Sequence, residues 1–116
     1  MKLFKQKKTS PIEEISVHQL KRLQDEKAEF ILLDVREDFE VNISKIPDSL
    51  HIPMNQIPNR LEELNSKKDI IVYCKSGVRS ASVCEYLINK NFKSLKNVKG
   101  GIKSWSKEID PSIPLY

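Results

Sequence analysis

The stretch Asp69-Ile70-Ile71-Val72-Tyr73-Cys74-Lys75-Ser76-Gly77-Val78-Arg79-Ser80-Ala81 decides how this chain folds. It opens with five consecutive apolar residues, Ile70 to Cys74, the length and composition of a strand buried on both faces. It closes on a run, Ser80 to Asn89, whose apolar residues Ala81, Cys84, Leu87 and Ile88 fall at helical spacing. The short segment between them holds Gly77, and none of the three glycines in the chain precedes it. Glycines this scarce mark places where the backbone needs them, here at Gly77 and at Gly100-Gly101. The order is a buried strand, a tight loop and a helix N-terminus.

On either side of this stretch the same alternation continues. Phe30 to Asp34 reads as a second buried strand, Leu50 to Pro53 as a weaker one and Leu95 to Val98 as a short edge strand. A helix starts at Ser16, where Gln19 three residues on completes a capping box and Leu20 and Leu23 share a face. Further helices are expected over Gln56 to Leu64, with Pro58 in the first turn, and over Ile102 to Glu108. Short strands alternating with helices need crossover connections. The fold class is therefore α/β, a single domain with a mostly parallel central sheet flanked by helices on both faces. Sites in such sheets lie at the carboxyl ends of the strands.

A length of 116 residues fits one domain. Leu, Ile, Val and Phe supply 35 of them, about 30% and above the ~20% below which disorder sets in. No apolar run approaches the ~18 residues of a membrane span, and the basic start Met1-Lys2-Leu3-Phe4-Lys5 lacks the apolar core of a secretory signal. A cytoplasmic protein with no membrane partner is expected. The net charge of +4 comes from Lys2, Lys5, Lys7 and Lys8; residues 11–116 balance at 16 bases and 16 acids, which argues against a nucleic-acid partner. Residues 1–12 read as a basic flexible arm and residues 13–116 as the domain. Within it the first half is acidic and the second basic, as an anion site in the second half would need. Cys74, Cys84, His18 and His51 are not spaced as a metal site, so neither metal nor cofactor is expected. A monomer is expected.

The loop from Cys74 to Arg79 carries the chemistry. Successive N–H groups in such a loop turn toward one point, and the following helix adds partial positive charge there. A thiol held at that point ionises more readily than a free cysteine, so Cys74 reads as a nucleophile. Lys75 and Arg79 add positive charge that would draw an anionic donor. Cys84 shares a helical face with Leu87 and Ile88 and reads as a core thiol; Trp105 reads as core, His18 as a solvated helix residue and His51 as a strand residue.

From about Ile15 to Tyr116 the chain resembles the rhodanese family of sulfurtransferases. The matching residues are Leu33-Asp34-Val35-Arg36-Glu37 with Glu40, the Cys74 to Arg79 loop with Ser80-Ala81, and Gly100-Gly101-Ile102 with Trp105. The resemblance implies that Cys74 accepts a sulfane sulfur from a small anionic donor such as thiosulfate, becomes a persulfide and passes the sulfur to a thiol or to cyanide. Lys75, Ser76, Gly77, Val78 and Arg79 would cradle it. The ending Trp105 to Tyr116 resembles the rhodanese module of enzymes that activate sulfur-carrier proteins, so a sulfur-carrier protein or a cysteine desulfurase is an expected partner. Where many members have Gly-His-Ile-Pro-Gly-Ala, this chain has Ser44-Lys45-Ile46-Pro47-Asp48-Ser49, which loses both glycines and the histidine but no nucleophile.

Asp34, Arg36 and Glu40 lie after the Phe30 to Asp34 strand and read as an ion-pair network that pins the loop rather than as catalytic groups. Two alternatives share the architecture. One is a cysteine-dependent phosphatase or arsenate reductase, which places five residues between cysteine and arginine where this chain has four. The other is a non-catalytic binding or signalling module.

Overall fold

The computed structural model describes residues 12–115. All of the basic arm except Ile12, and Tyr116, lie outside the described residues. The elements in chain order are β1 (Glu13–Ile15), α1 (Val17–Asp25), β2 (Ile31–Asp34), α2 (Asp38–Ile43), β3 (Ser49–His51), two 3-10 turns (Met54–Asn59 and Leu61–Glu63), β4 (Ile70–Tyr73), α3 (Val78–Asn89), β5 (Leu95–Val98) and α4 (Gly101–Glu108).

The strands form one five-stranded sheet in the order β1-β5-β4-β2-β3, and every pairing is parallel. β4 is central because its residues are apolar on both sides. Ile70, Val72 and Cys74 pack with Leu33, Val35, Leu95, Val83, Cys84 and Leu87 on the face covered by α3 and the 3-10 turns. Ile71 and Tyr73 pack with Leu20, Leu32, Val98, Ile102 and Trp105 under α1 and α4. This two-residue alternation splits one continuous apolar strand between two cores.

Two sequence expectations need correction. Gln56 to Leu64 is not an α-helix but the two 3-10 turns, broken at Arg60; only Ile57 and Leu64 of that segment are buried, too few for an apolar helical stripe. Leu95 to Val98 is an inner strand, because β1 pairs along its outer side through Glu13↔Lys96 to Ile15↔Val98. The edges are β1 and β3. Two short elements were not expected at all: β1, with one buried residue in three, and α2.

Local signals account for the helix ends. Ser16 caps α1 reciprocally with Gln19. α1 and α3 both finish with paired bonds back to the last turn, Lys27 N–H to Gln24 O and Ala28 N–H to Leu23 O in one, Asn91 N–H to Ile88 O and Phe92 N–H to Leu87 O in the other. Such an ending needs a left-handed residue, supplied by Lys27 (φ +57°) and Asn91 (φ +71°). Lysine carries the larger steric penalty, so Lys27→Gly is expected to raise stability by about 0.5–1 kcal/mol, read as a higher urea midpoint. Asp48, standing where many family members have glycine, also takes a left-handed conformation (φ +68°).

Candidate active site

The sheet brings the ends of β2 and β4 side by side, with Asp34 opposite Tyr73. Cys74 follows directly, is 1% exposed, and lies beneath the loop that leads into α3. Gly77 caps α3 with φ +112°, which a side chain would resist. The turn it makes brings the Gly77 N–H to 3.1 Å and the Ser80 N–H to 3.4 Å from Cys74 Sγ.

The start of α4 holds the other side of the loop. The Ile102 and Lys103 N–H groups donate to the carbonyls of Cys74 and Lys75 at 2.9 and 3.1 Å. Gly101 permits this approach: a Cβ there would stand 2.4 Å from the Cys74 carbonyl oxygen. The loop carbonyls are thus occupied on the outside while the amides of Gly77 and Ser80 face the sulfur. Burial pushes the Cys74 thiol up, but the hydrogen bond it shares with the Ser80 hydroxyl and those from the amides of Ser80, Gly77 and Ser76 outweigh it and leave the thiol below the ordinary cysteine value. Among the described residues Cys84 has no such donors; it is fully buried and burial pushes it up to about 12.

Of the expected cradle residues, Ser76 is exposed, Lys75 and Gly77 are half-buried and Val78 is 74% exposed. Arg79 is part-buried. Its guanidinium is committed as a two-pronged bond to the Glu40 carboxylate, Nη1 to Oε1 at 2.8 Å and Nη2 to Oε2 at 3.0 Å. The pair ties α2 to the first turn of α3. The Arg79 fork holds the Glu40 carboxyl below the usual carboxylate range. A carboxyl lowered in the native state contributes stability above its unfolded pKa of about 4.3 and loses it as pH falls through the lower native value. Arg79→Gln should therefore lower the urea midpoint at pH 7, and the deficit should shrink as both proteins are titrated below pH ~4.

Asp34 and Arg36 form a second pair, joined to the first by a long bond of 3.5 Å from Arg36 Nη1 to the Glu40 carbonyl. Both side chains are fully buried, with Arg36 Nη2 at 2.9 Å from Asp34 Oδ2 and 2.6 Å from the Ser44 carbonyl. His51 Nε2 lies 2.7 Å from the Arg36 carbonyl. This pair fastens the end of β2 to the segment after α2, while Glu40 reaches the Arg79 side chain of the loop. Two buried polar groups were not expected, the Ser80 hydroxyl at 3.3 Å from Sγ and, behind it, Asn97, which bonds Ser80. Asn97 has a visible signal: it is polar at an inward position of β5, two residues from buried Leu95.

A cleft of about 360 Å³ lies beside the loop, lined by Glu37, Met54, Ile57, Arg79 and Tyr86 among others, and Cys74 does not line it. Among the described residues no group of three or more His, Cys, Asp or Glu is placed to hold a metal. No helix among them is long and apolar enough to cross a membrane.

Residues 16–108, which include the loop at Cys74 and the parallel sheet beneath it, match the rhodanese-like domain family. The chain belongs to that family. It is 43% identical to the YtwF protein of Bacillus subtilis, covering 86% of this chain and 96% of the relative. It is 33% identical to a protein of Allochromatium vinosum named sulfurtransferase, covering 88% and 95%. It is 30% identical to adenylyltransferase and sulfurtransferase MOCS3 of Arabidopsis thaliana, over 88% of this chain but 25% of that protein. The crystal structure of a rhodanese-like domain protein from Staphylococcus aureus superposes with a TM-score of 0.79 at 35% identity, covering 84% of this chain and 95% of that one. Sulfur transfer is the general class of activity to which the chain is assigned.

Proposed function

We propose that the chain carries sulfane sulfur on Cys74 as a persulfide and moves it from thiosulfate, or from a protein persulfide, to a thiophilic acceptor. The observation that carries this reading is the convergence of the Gly77 and Ser80 amides on Sγ at 3.1 and 3.4 Å, with α3 beginning at the same point. Those donors favour negative charge on sulfur, which a nucleophile needs.

The Cys74 thiolate attacks the outer sulfur of thiosulfate. A new S–S bond forms to Sγ, the bond between the two donor sulfurs breaks, and sulfite leaves with its electron pair. The negative charge now rests on the outer sulfur, about 2 Å beyond Sγ. An acceptor then attacks that sulfur, and Cys74 departs as thiolate. Cyanide serves as acceptor in the test tube; a thiol or a sulfur-carrier protein is the acceptor we propose for the cell, a reading supported by the likeness to part of MOCS3. No cofactor enters either half. In this reading Lys75, Ser76, Gly77, Val78 and Arg79 form the cradle, while Asp34, Arg36 and Glu40 hold the surrounding backbone.

Transfer in two halves predicts parallel double-reciprocal lines when thiosulfate and cyanide are varied together. Alkylation of Cys74 followed against pH should give a midpoint below the free-cysteine value of ~8.5. Intersecting lines together with a midpoint at or above that value would oppose the reading.

A further inference from the structure

Ser80 is buried against Cys74 and Asn97 bonds Ser80 from β5, and the transfer described above gives neither side chain a task. Ser80 is fully buried and Asn97 is 2% exposed. Asn97 stands on β5 beside Val72 of β4. The chemistry of its neighbours fixes its amide. The Gly77 carbonyl only accepts, so the group facing it at 3.0 Å is Nδ2. Oδ1 consequently faces Ser80 Oγ at 2.5 Å. Oδ1 also only accepts, so the proton between them belongs to Ser80. A hydroxyl has one proton. Toward Cys74 Sγ, 3.3 Å away, Ser80 then presents only lone pairs. Lone pairs accept from a thiol S–H and repel a thiolate.

We propose that Asn97 positions the Ser80 proton, holding it away from Cys74 while the sulfur is a thiol and yielding it to Sγ when the sulfur becomes an anion. The proposal rests on the reading that Cys74 reacts as a thiolate. In the resting state the chain of bonds runs Cys74 S–H to Ser80 Oγ and Ser80 O–H to Asn97 Oδ1. When a solvent base takes the thiol proton, the Ser80 hydroxyl rotates about its C–O bond and donates to Sγ, and Asn97 Oδ1 loses that bond. The same rotation accompanies the second half of transfer. The electron pair of the S–S bond stays on Sγ as the outer sulfur departs, and Ser80 donates to the new thiolate. In the persulfide the charge is on the outer sulfur, so the Ser80 proton returns to Asn97. Nothing is oxidised or reduced in these rotations. Asn97 touches no reacting atom and acts through Ser80.

The test is a cycle of Asn97→Ala and Ser80→Ala, made in a Cys84→Ala background and read as the pH midpoint of Cys74 alkylation. Removing Oδ1 frees the Ser80 proton for sulfur. Asn97→Ala should lower the midpoint by about one unit, a tenfold larger thiolate fraction at pH below it, when Ser80 is present. It should leave the midpoint unchanged when position 80 is alanine. An equal shift in both backgrounds would mark a merely structural effect and overturn the proposal, as would no shift or a rise. A second readout needs no change at Asn97. The infrared S–H band of Cys74 at acid pH should move to higher frequency on Ser80→Ala, because its acceptor is gone; an unmoved band would overturn the proposal. Neither readout uses a sulfur donor, so both stand or fall apart from persulfide formation.

Discussion

Cys74→Ser is expected to lower thiosulfate-to-cyanide transfer by roughly 10⁴-fold or more, to the background of the assay. A hydroxyl is far less acidic than a thiol and cannot carry the sulfane sulfur, so both halves of the reaction are lost together. The fold should survive, because serine is smaller than cysteine and can accept the same Gly77 and Ser80 amides. The matching control is Cys84→Ala. That thiol is fully buried with Val83 and Leu87 in the core under α3 and, among the described residues, has no donors around it, so its loss should cost some stability and leave transfer largely intact. Steady-state rates and thermal unfolding of the two variants check both statements. Transfer retained in the Cys74 variant, or abolished in a folded Cys84 variant, would reverse the assignment.

The second large effect is on stability. Arg36→Met should destabilise the domain by about 3–5 kcal/mol, because it leaves the Asp34 carboxylate buried with its charge uncompensated. The Ser44 carbonyl loses its 2.6 Å donor in the same step. A domain of this size has only about 5–15 kcal/mol in total, so Arg36→Met should approach the limit of folding at 37 °C. The double variant Asp34→Asn with Arg36→Met should recover much of the loss, since the charge that cannot be buried alone is gone. Urea unfolding of the single and double variants measures this directly. A loss below about 1 kcal/mol in Arg36→Met would mean that water or another cation reaches Asp34.

The loop at Cys74 is legible in the sequence because its signals are local. Five apolar residues, a glycine and a helical run follow one another without interruption from Ile70 to Asn89, and the structure places strand, turn and α3 on them. What is not legible depends on partners distant in the chain. β1 has a single buried residue, Ile15, and exists because its backbone pairs with β5 more than 80 residues later. The same pairing makes Leu95 to Val98 an inner strand. Gln56 to Leu64 misleads for the opposite reason: a proline in an acceptable helical position says nothing of whether an apolar stripe continues beyond it. Asp34, Arg36 and Glu40 are close enough in sequence to suggest one network, but not that its further partners are the Ser44 carbonyl and the Arg79 guanidinium. Asn97 comes behind Ser80 through strand register and a hydrogen bond to the Gly77 carbonyl, neither of which leaves a trace in the residues around Cys74.

The most direct measurement is the intact mass of the purified protein after incubation with thiosulfate and removal of the excess. A gain of one sulfur atom is expected, lost on adding cyanide with formation of one thiocyanate per protein, absent in Cys74→Ser and retained in Cys84→Ala. Absence of the gain in the unsubstituted protein, when treated with both thiosulfate and a low-molecular-weight persulfide, would contradict the account, and so would a gain that survives Cys74→Ser.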